Sequence, residues 1–120
     1  MTTKYVGEGK VLDYANAGAA IASGDVVVTG DTVGIALKDI PATTGVGPIA
    51  IEGVFTVDKT AGTAWVQGDS IDWDASASKF HKGATPATGD VLLCCVAAAA
   101  AGSAAVTGQV KLTPGTGVVQ

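Results

Sequence analysis

The chain has little of what most enzymes and nucleic-acid-binding domains use. Of its 120 residues only 5% are aromatic and 15% charged, there is one His, and the seven basic residues are all lysines. Those lysines (4, 10, 38, 59, 79, 82 and 111) stand singly along the chain against eleven acids, giving a formal charge of -4. A phosphate-tracking surface needs clustered basic groups, so nucleic-acid binding is disfavoured. The densest apolar run, Val91 to Ala101, is about half of the ~20 residues that a spanning helix requires, which argues for a soluble chain with no membrane partner. No apolar stretch follows Met1-Thr-Thr-Lys-Tyr, so the start does not read as a secretory leader. The two cysteines, Cys94 and Cys95, are adjacent. On a strand they would point to opposite faces and bond to each other only through a strained ring, so there is no disulfide framework, and the pair fits synthesis in a reducing cytosol.

What is present is Gly, Ala and Val: 17 glycines and 48% hydrophobic residues. One domain of this size, with a core of small side chains, gains less per residue than an aromatic core, and subunit contacts would supply further burial. Turn residues interrupt the chain every eight to twelve residues or so, between short runs rich in Val, Ile and Thr. That pattern predicts an all-β single domain, a small sandwich or barrel with at most one short helical turn. The strands expected are Lys10 to Tyr14, Asp25 to Val28, Val33 to Leu37, Ile49 to Val57, Ser70 to Trp73, Lys79 to His81, Val91 to Ala97 and Thr107 to Leu112. Gly53 inside the longest of these suggests a bulge or a close backbone approach. Lys59 to Val66 lacks alternation and has room for the helical turn.

Ser23-Gly24-Asp25-Val26, Gln67-Gly68-Asp69-Ser70 and Thr88-Gly89-Asp90-Val91 share one chemistry: Gly supplies a positive φ and Asp bonds nearby amides, so each launches a strand. Their unequal spacing argues against a solenoid. Ala97 to Ala101, ended by Gly102, is too short for a stable helix and reads as a strand end. Its small side chains suit either a neighbouring subunit or tight internal packing.

Candidate chemistry is sparse. His81 lies in Lys79-Phe80-His81-Lys82, on what reads as an exposed hairpin strand, and a Cys-His pair would need Cys94 or Cys95 from an apolar strand where Cys is a small core residue. Asp69, Asp72 and Asp74 are spaced as Ca²⁺ ligands can be, but the loop Gly is missing and Gly83 stands where a bidentate Glu is required. The expectation is therefore no catalytic residue, no cofactor and no metal. Trp73, alternating with outward Asp72 and Asp74, reads as core, whereas Trp65 is open between the core and a subunit contact.

The order Lys4-Tyr5-Val6-x-x-Gly9-x-x-Leu12, Ala17-Gly18, Ser23-Gly24-Asp25-Val26-Val27 and Val33-Gly34-Ile35-Ala36 resembles the capsid cement (head decoration) proteins of tailed bacteriophages. The likeness continues through Ile51-Glu52-Gly53-Val54-Phe55, Lys59, Ala64-Trp65, Gly68-Asp69, Trp73-Asp74 and Gly108-Gln109-Val110-Lys111-Leu112. It departs before Cys94-Cys95-Val96, where a Gly-x-Ala strand is expected, and Thr113 to Gln120 falls outside the shared region.

The resemblance implies a non-enzymatic protein, made in the host cytoplasm, that binds the outer surface of the mature virion head and bridges major capsid subunits. It also implies a homo-oligomer, a trimer favoured. The expected layout is an arm over residues 1–10, a β domain over 11–112 and a tail over 113–120. Lys4, Tyr5 and Val6 of the arm, with Gly53, Phe55 and Trp65, are the candidate capsid or subunit contacts. The competing readings are a small hydrolase or metal-binding enzyme using His81, Cys94 or the Asp69 to Asp74 cluster, and a structural β module of a surface fibre.

Overall fold

The three Gly-Asp turns set the frame of the computed structural model, which describes residues 2–83 and 85–120. Gly24, Gly68 and Gly89 have φ of 90°, 90° and 93°, the left-handed region that a side chain resists. In each turn the Asp N–H donates to the carbonyl three residues back, on Ala22, Val66 and Ala87, at 3.0, 3.1 and 3.0 Å. The Asp carboxylate then accepts the N–H of that same residue, at 3.0, 2.8 and 3.0 Å. The Gly N–H and the Asp carbonyl together grip one residue in or just beyond a neighbouring strand, Ala36, Ala97 and Gln120 respectively. One short motif thus closes three strand pairs by identical bonding.

Among the described residues the chain forms ten strands and no helix: β1 Val11–Ala15, β2 Val26–Thr29, β3 Thr32–Ala36, β4 Val46–Ala50, β5 Val54–Asp58, β6 Ser70–Asp74, β7 Lys79–His81, β8 Val91–Ala97, β9 Thr107–Leu112 and β10 Val118–Val119. The all-β expectation holds. A first sheet runs β1-β4-β3-β2, and a second runs β5-β9-β8-β6-β7 with β10 also paired to β8. All these pairings are antiparallel. The second sheet curls until its ends meet, through a parallel bridge between Lys59 and Phe80.

Two expected elements differ. The single strand Ile49 to Val57 is two strands in different sheets, because Gly53 adopts φ 116° and turns the chain from β4 into β5. The glycine is a crossover hinge rather than a bulge. The segment from Lys59 to Val66 makes no helical turn: Gly62 takes φ 114°, and Trp65 bridges Ala101 as extended chain. A further strand, β10, lies beyond the region that carried the resemblance.

β3 is apolar on both faces because the first sheet has a core on each side. Val33 and Ile35 enter the larger core with Trp65, Ile71, Trp73, Phe80, Val91, Val110 and Leu112. Ala36 and Val27 of β2 face the other way, into a smaller cluster with Ile40, Ile49 and Ile51. The two large rings Trp73 and Phe80 meet at 5.0 Å, tilted by 57°, in the edge-to-face range that favours aromatic pairs. Trp65 is packed over Gly108, where a Cβ would lie 2.5 Å from the indole, so that glycine is needed for the ring to fit.

Candidate functional site

The residues that carried candidate chemistry are drawn into structural duties one by one. Asp69 accepts from Val66 and pairs with Lys82 at 2.8 Å, and the Lys82 bond followed by the Val66 N–H holds its carboxyl below the usual range. Asp74 caps the β6–β7 turn through Ser76 Oγ at 2.8 Å and the Ala77 N–H at 3.2 Å, which lower its pKa in that order. Asp72 corrects the sequence reading: it is buried, not outward, and its Oδ1 accepts the Leu93 N–H at 2.8 Å.

The cause is a bulge in β8. Leu93 has φ 58°, and between the pairs Ile71–Cys95 and Trp73–Val91 β8 spends four residues where β6 spends two. The alternation slips there, so both Cys94 and Cys95 are buried instead of facing opposite ways, with their Sγ atoms 3.9 Å apart. Each sulfur also contacts the Ile71 carbonyl, at 3.5 and 3.8 Å. The hydrogen bond with Cys94, reinforced by burial, pushes the Cys95 thiol far above the ordinary thiol range and keeps it neutral. His81 is half-buried on β7 opposite Asp72 rather than exposed, and among the described residues neither thiol hydrogen-bonds to it. Among those residues, no three His, Cys, Asp or Glu side chains converge as a metal site.

Sequence reasoning passed over Lys59 as a core residue. It is fully buried, its Nζ donating to the carbonyls of Thr60 at 3.1 Å and Ala105 at 3.4 Å and lying 5.6 Å from the centre of the Trp65 ring. A buried ammonium needs acceptors, and two backbone carbonyls with an indole face supply them here. It thereby ties the 59–65 segment to the loop before β9.

The candidate contacts separate into groups. Lys4, Tyr5 and Val6 stand in solvent, Tyr5 at 82% and Val6 at 96% exposure. Residues 2–10 contribute no strand and are exposed throughout. Gly53 is exposed beside Lys10, at the root of this arm, in a hollow of about 410 Å³ shared with Lys111 and Pro114. Phe55 is half-buried in the wall of a larger cleft of about 700 Å³, between β5 and the start of β2. Trp65 is 1% exposed in the core, so in this conformation it is not a surface contact; its neighbour Val66, at 59%, carries the exposed apolar group instead.

Open strand edges complete the surface. Among the described strands β1 pairs only with β4 and β2 only with β3, while β5 pairs only with β9. β1 also presents Val11 and Leu12, 47% and 41% exposed. An unpaired row of backbone donors and acceptors beside apolar side chains is a template for another strand.

No curated protein matches the chain. A family model described as Phage cement protein matches residues 6–112, which span β1 to β9 and leave out most of the exposed arm and all of the last eight residues. With the match covering most of its length, the chain belongs to the phage cement protein family, whose members are structural proteins associated with the phage capsid.

Proposed function

We propose that this protein decorates the outer surface of a mature phage head and stabilises the shell by bridging two or more major capsid subunits, acting as a homo-oligomer in which a trimer is favoured. The family match over residues 6–112 carries this reading, and the solvent-exposed arm beside it supports it. No bond is made or broken in this role. A cement subunit works by holding several partners at once, and linking two modest contacts raises overall avidity by about 10² to 10⁴ without any new interaction.

The arm suits such a contact. Extended chain gains backbone hydrogen bonds by joining an open sheet edge, with alternate side chains giving specificity. In residues 2–10 those side chains are Tyr5 and Val6, flanked by Lys4. An arm of this kind adds as a strand to a capsid strand or to a sister subunit. The trimer follows from the closed symmetry that a local threefold position offers. Synthesis in the host cytoplasm agrees with two buried, unpaired thiols.

Co-sedimentation with purified heads tests the reading. The full chain is expected to pellet with heads, and a chain lacking residues 2–8 to be retained far less, chiefly through faster dissociation. A full chain that stays in the supernatant overturns the cement role.

A further inference from the structure

The cleft of about 700 Å³ has a wall of unusual make-up: Phe55, Thr56, Val57 and Asp58 line it consecutively. Successive strand residues point to opposite faces, so four in a row can border one hollow only if the hollow runs along the edge of the strand. That edge of β5 is the one turned away from β9; β7 meets it just beyond the strand, at the Lys59–Phe80 bridge, while Val54 to Asp58 have no strand partner on it among the described residues. Trp73 and Ile35 line it as well, and Asp25 and Asp58 border it. A groove with an unpaired strand edge, aromatic residues among polar ones in its wall and two acidic residues fits an extended segment that carries a large apolar side chain next to a cation.

The chain contains such a segment. In residues 2–7, Lys4 precedes Tyr5 and Val6, and all three are exposed in the isolated molecule, so its own cleft does not hold them. Nine residues of extended chain, 2–10, reach about 30 Å, enough to leave one molecule and enter another. We infer that the cleft along β5 is the receptor for the arm of a second copy: residues 2–7 add as a strand to β5, Tyr5 enters beside Phe55 and Trp73, and Lys4 sits against Asp58. The contact is head-to-tail, since arm and cleft are different surfaces, and such a contact closes into a ring when the rotation between copies closes, as it does for a trimer. This rests on the homo-oligomer reading above and names the surfaces that make the oligomer. Loss of the arm then weakens head attachment by removing multivalency.

Charge exchange tests it on the full chain, in the absence of heads, by light scattering across a concentration series. The wild type is expected to self-associate, and an excess of a synthetic peptide of residues 2–10 to dissociate it. Lys4→Glu and Asp58→Lys are each expected to weaken association about tenfold or more, and the double exchange to restore it, a rescue that misfolding would not produce. A monomeric wild type, an oligomer indifferent to the peptide, or a double exchange no better than the single ones overturns the inference. Co-sedimentation of the same variants separates the two claims: a wild type that binds heads but never self-associates keeps the cement role and moves the occupant of the cleft to the capsid, against the inference.

Discussion

Residues 2–10 and 113–120 are alike in sequence and opposite in structure. Each has two glycines, two threonines and one adjacent pair of sizeable apolar residues, Tyr5-Val6 or Val118-Val119. The later segment is bound along its length: Gly115 N–H to Thr32 Oγ1 at 3.0 Å, Thr116 Oγ1 to the Leu93 carbonyl at 2.8 Å, Gly117 N–H to the Asp31 carbonyl at 3.0 Å, and Gln120 to Gly89 and Asp90. Among the described residues the earlier one is held to the domain at its root, where the Lys10 carbonyl accepts from Ile51; its exposed Glu8–Lys10 pair at 3.9 Å is internal to it. The difference lies in the receptor. β9 runs out at Leu112, paired with Cys95, and leaves Val91 and Leu92 of β8 without a neighbour on that side until β10 fills the place. The end that finds an empty edge in its own fold becomes structure; the other forms no strand and stays exposed.

The largest effect expected from this contrast is that of truncation. Removing residues 113–120 uncovers Val91, which is 0% exposed, and strips several hydrogen bonds, so unfolding should become easier by about 3 kcal/mol or more. Removing residues 2–8 should change stability by less than about 0.5 kcal/mol, since no core residue is lost. Urea melts of the two truncations check this, and equal losses would break the comparison.

Next come the clamps. Asp90, 3% exposed, accepts from Ala75 at 3.1 Å and Ala87 at 3.0 Å while its turn grips Gln120. Asp90→Ala removes a buried carboxylate and leaves the Ala75 and Ala87 amides without it, and is expected to cost about 2 to 3 kcal/mol, whereas Asp25→Ala, where the carboxylate of the same turn is exposed, should cost about 1 kcal/mol or less. Similar values from thermal melts would mean that burial of the carboxylate does not set the worth of the turn.

A smaller and more local test uses single glycines. A Cβ on Gly117 would lie 2.6 Å from Val91 Cγ1 and 2.7 Å from the Asp31 carbonyl oxygen, so Gly117→Ala is expected to destabilise by about 1 to 3 kcal/mol through overpacking. Gly7→Ala meets nothing within 4 Å and should leave melting unchanged.

How far the sequence reveals this molecule depends on whether a feature is local. The Gly-Asp turns are legible because the glycine conformation and the carboxylate bond are made within four residues, and the strands that follow them are found within a residue or two. The phase of β8 is not, because the slip at Leu93 is set by pairing with β6, and it carries Asp72, Cys94 and Cys95 inward together. Trp65 and Val66 show the same limit: extended chain must bury one of two neighbours, and the space over Gly108 chooses the indole. The arm is legible through its missing core pattern. The cleft is not, since β2, β3 and β5, from two sheets, meet there only in three dimensions.

The smallest effect concerns acid, and it compares the domain with the arm once more. Asp69 and Asp74 both have carboxyls held below the ordinary value of 3.8, Asp69 chiefly by Lys82 and Asp74 chiefly by Ser76. As pH falls the unfolded chain takes up these protons first, so their contribution is complete well above 3.8 and is lost as pH drops through that value toward the lower folded ones. Both groups are solvent-accessible, so the change is modest and that of Asp69 shrinks with salt. Melting temperature measured from pH 6 to pH 3 should therefore fall less steeply for Asp69→Asn combined with Asp74→Asn than for the wild type. The chain lacking residues 2–8 should follow the wild-type curve, because the only acid it loses is Glu8, whose ion pair is exposed on both sides. A flatter curve for that truncation would show the arm engaged with the domain in solution; an unchanged slope for the double variant would take the acid sensitivity away from Asp69 and Asp74.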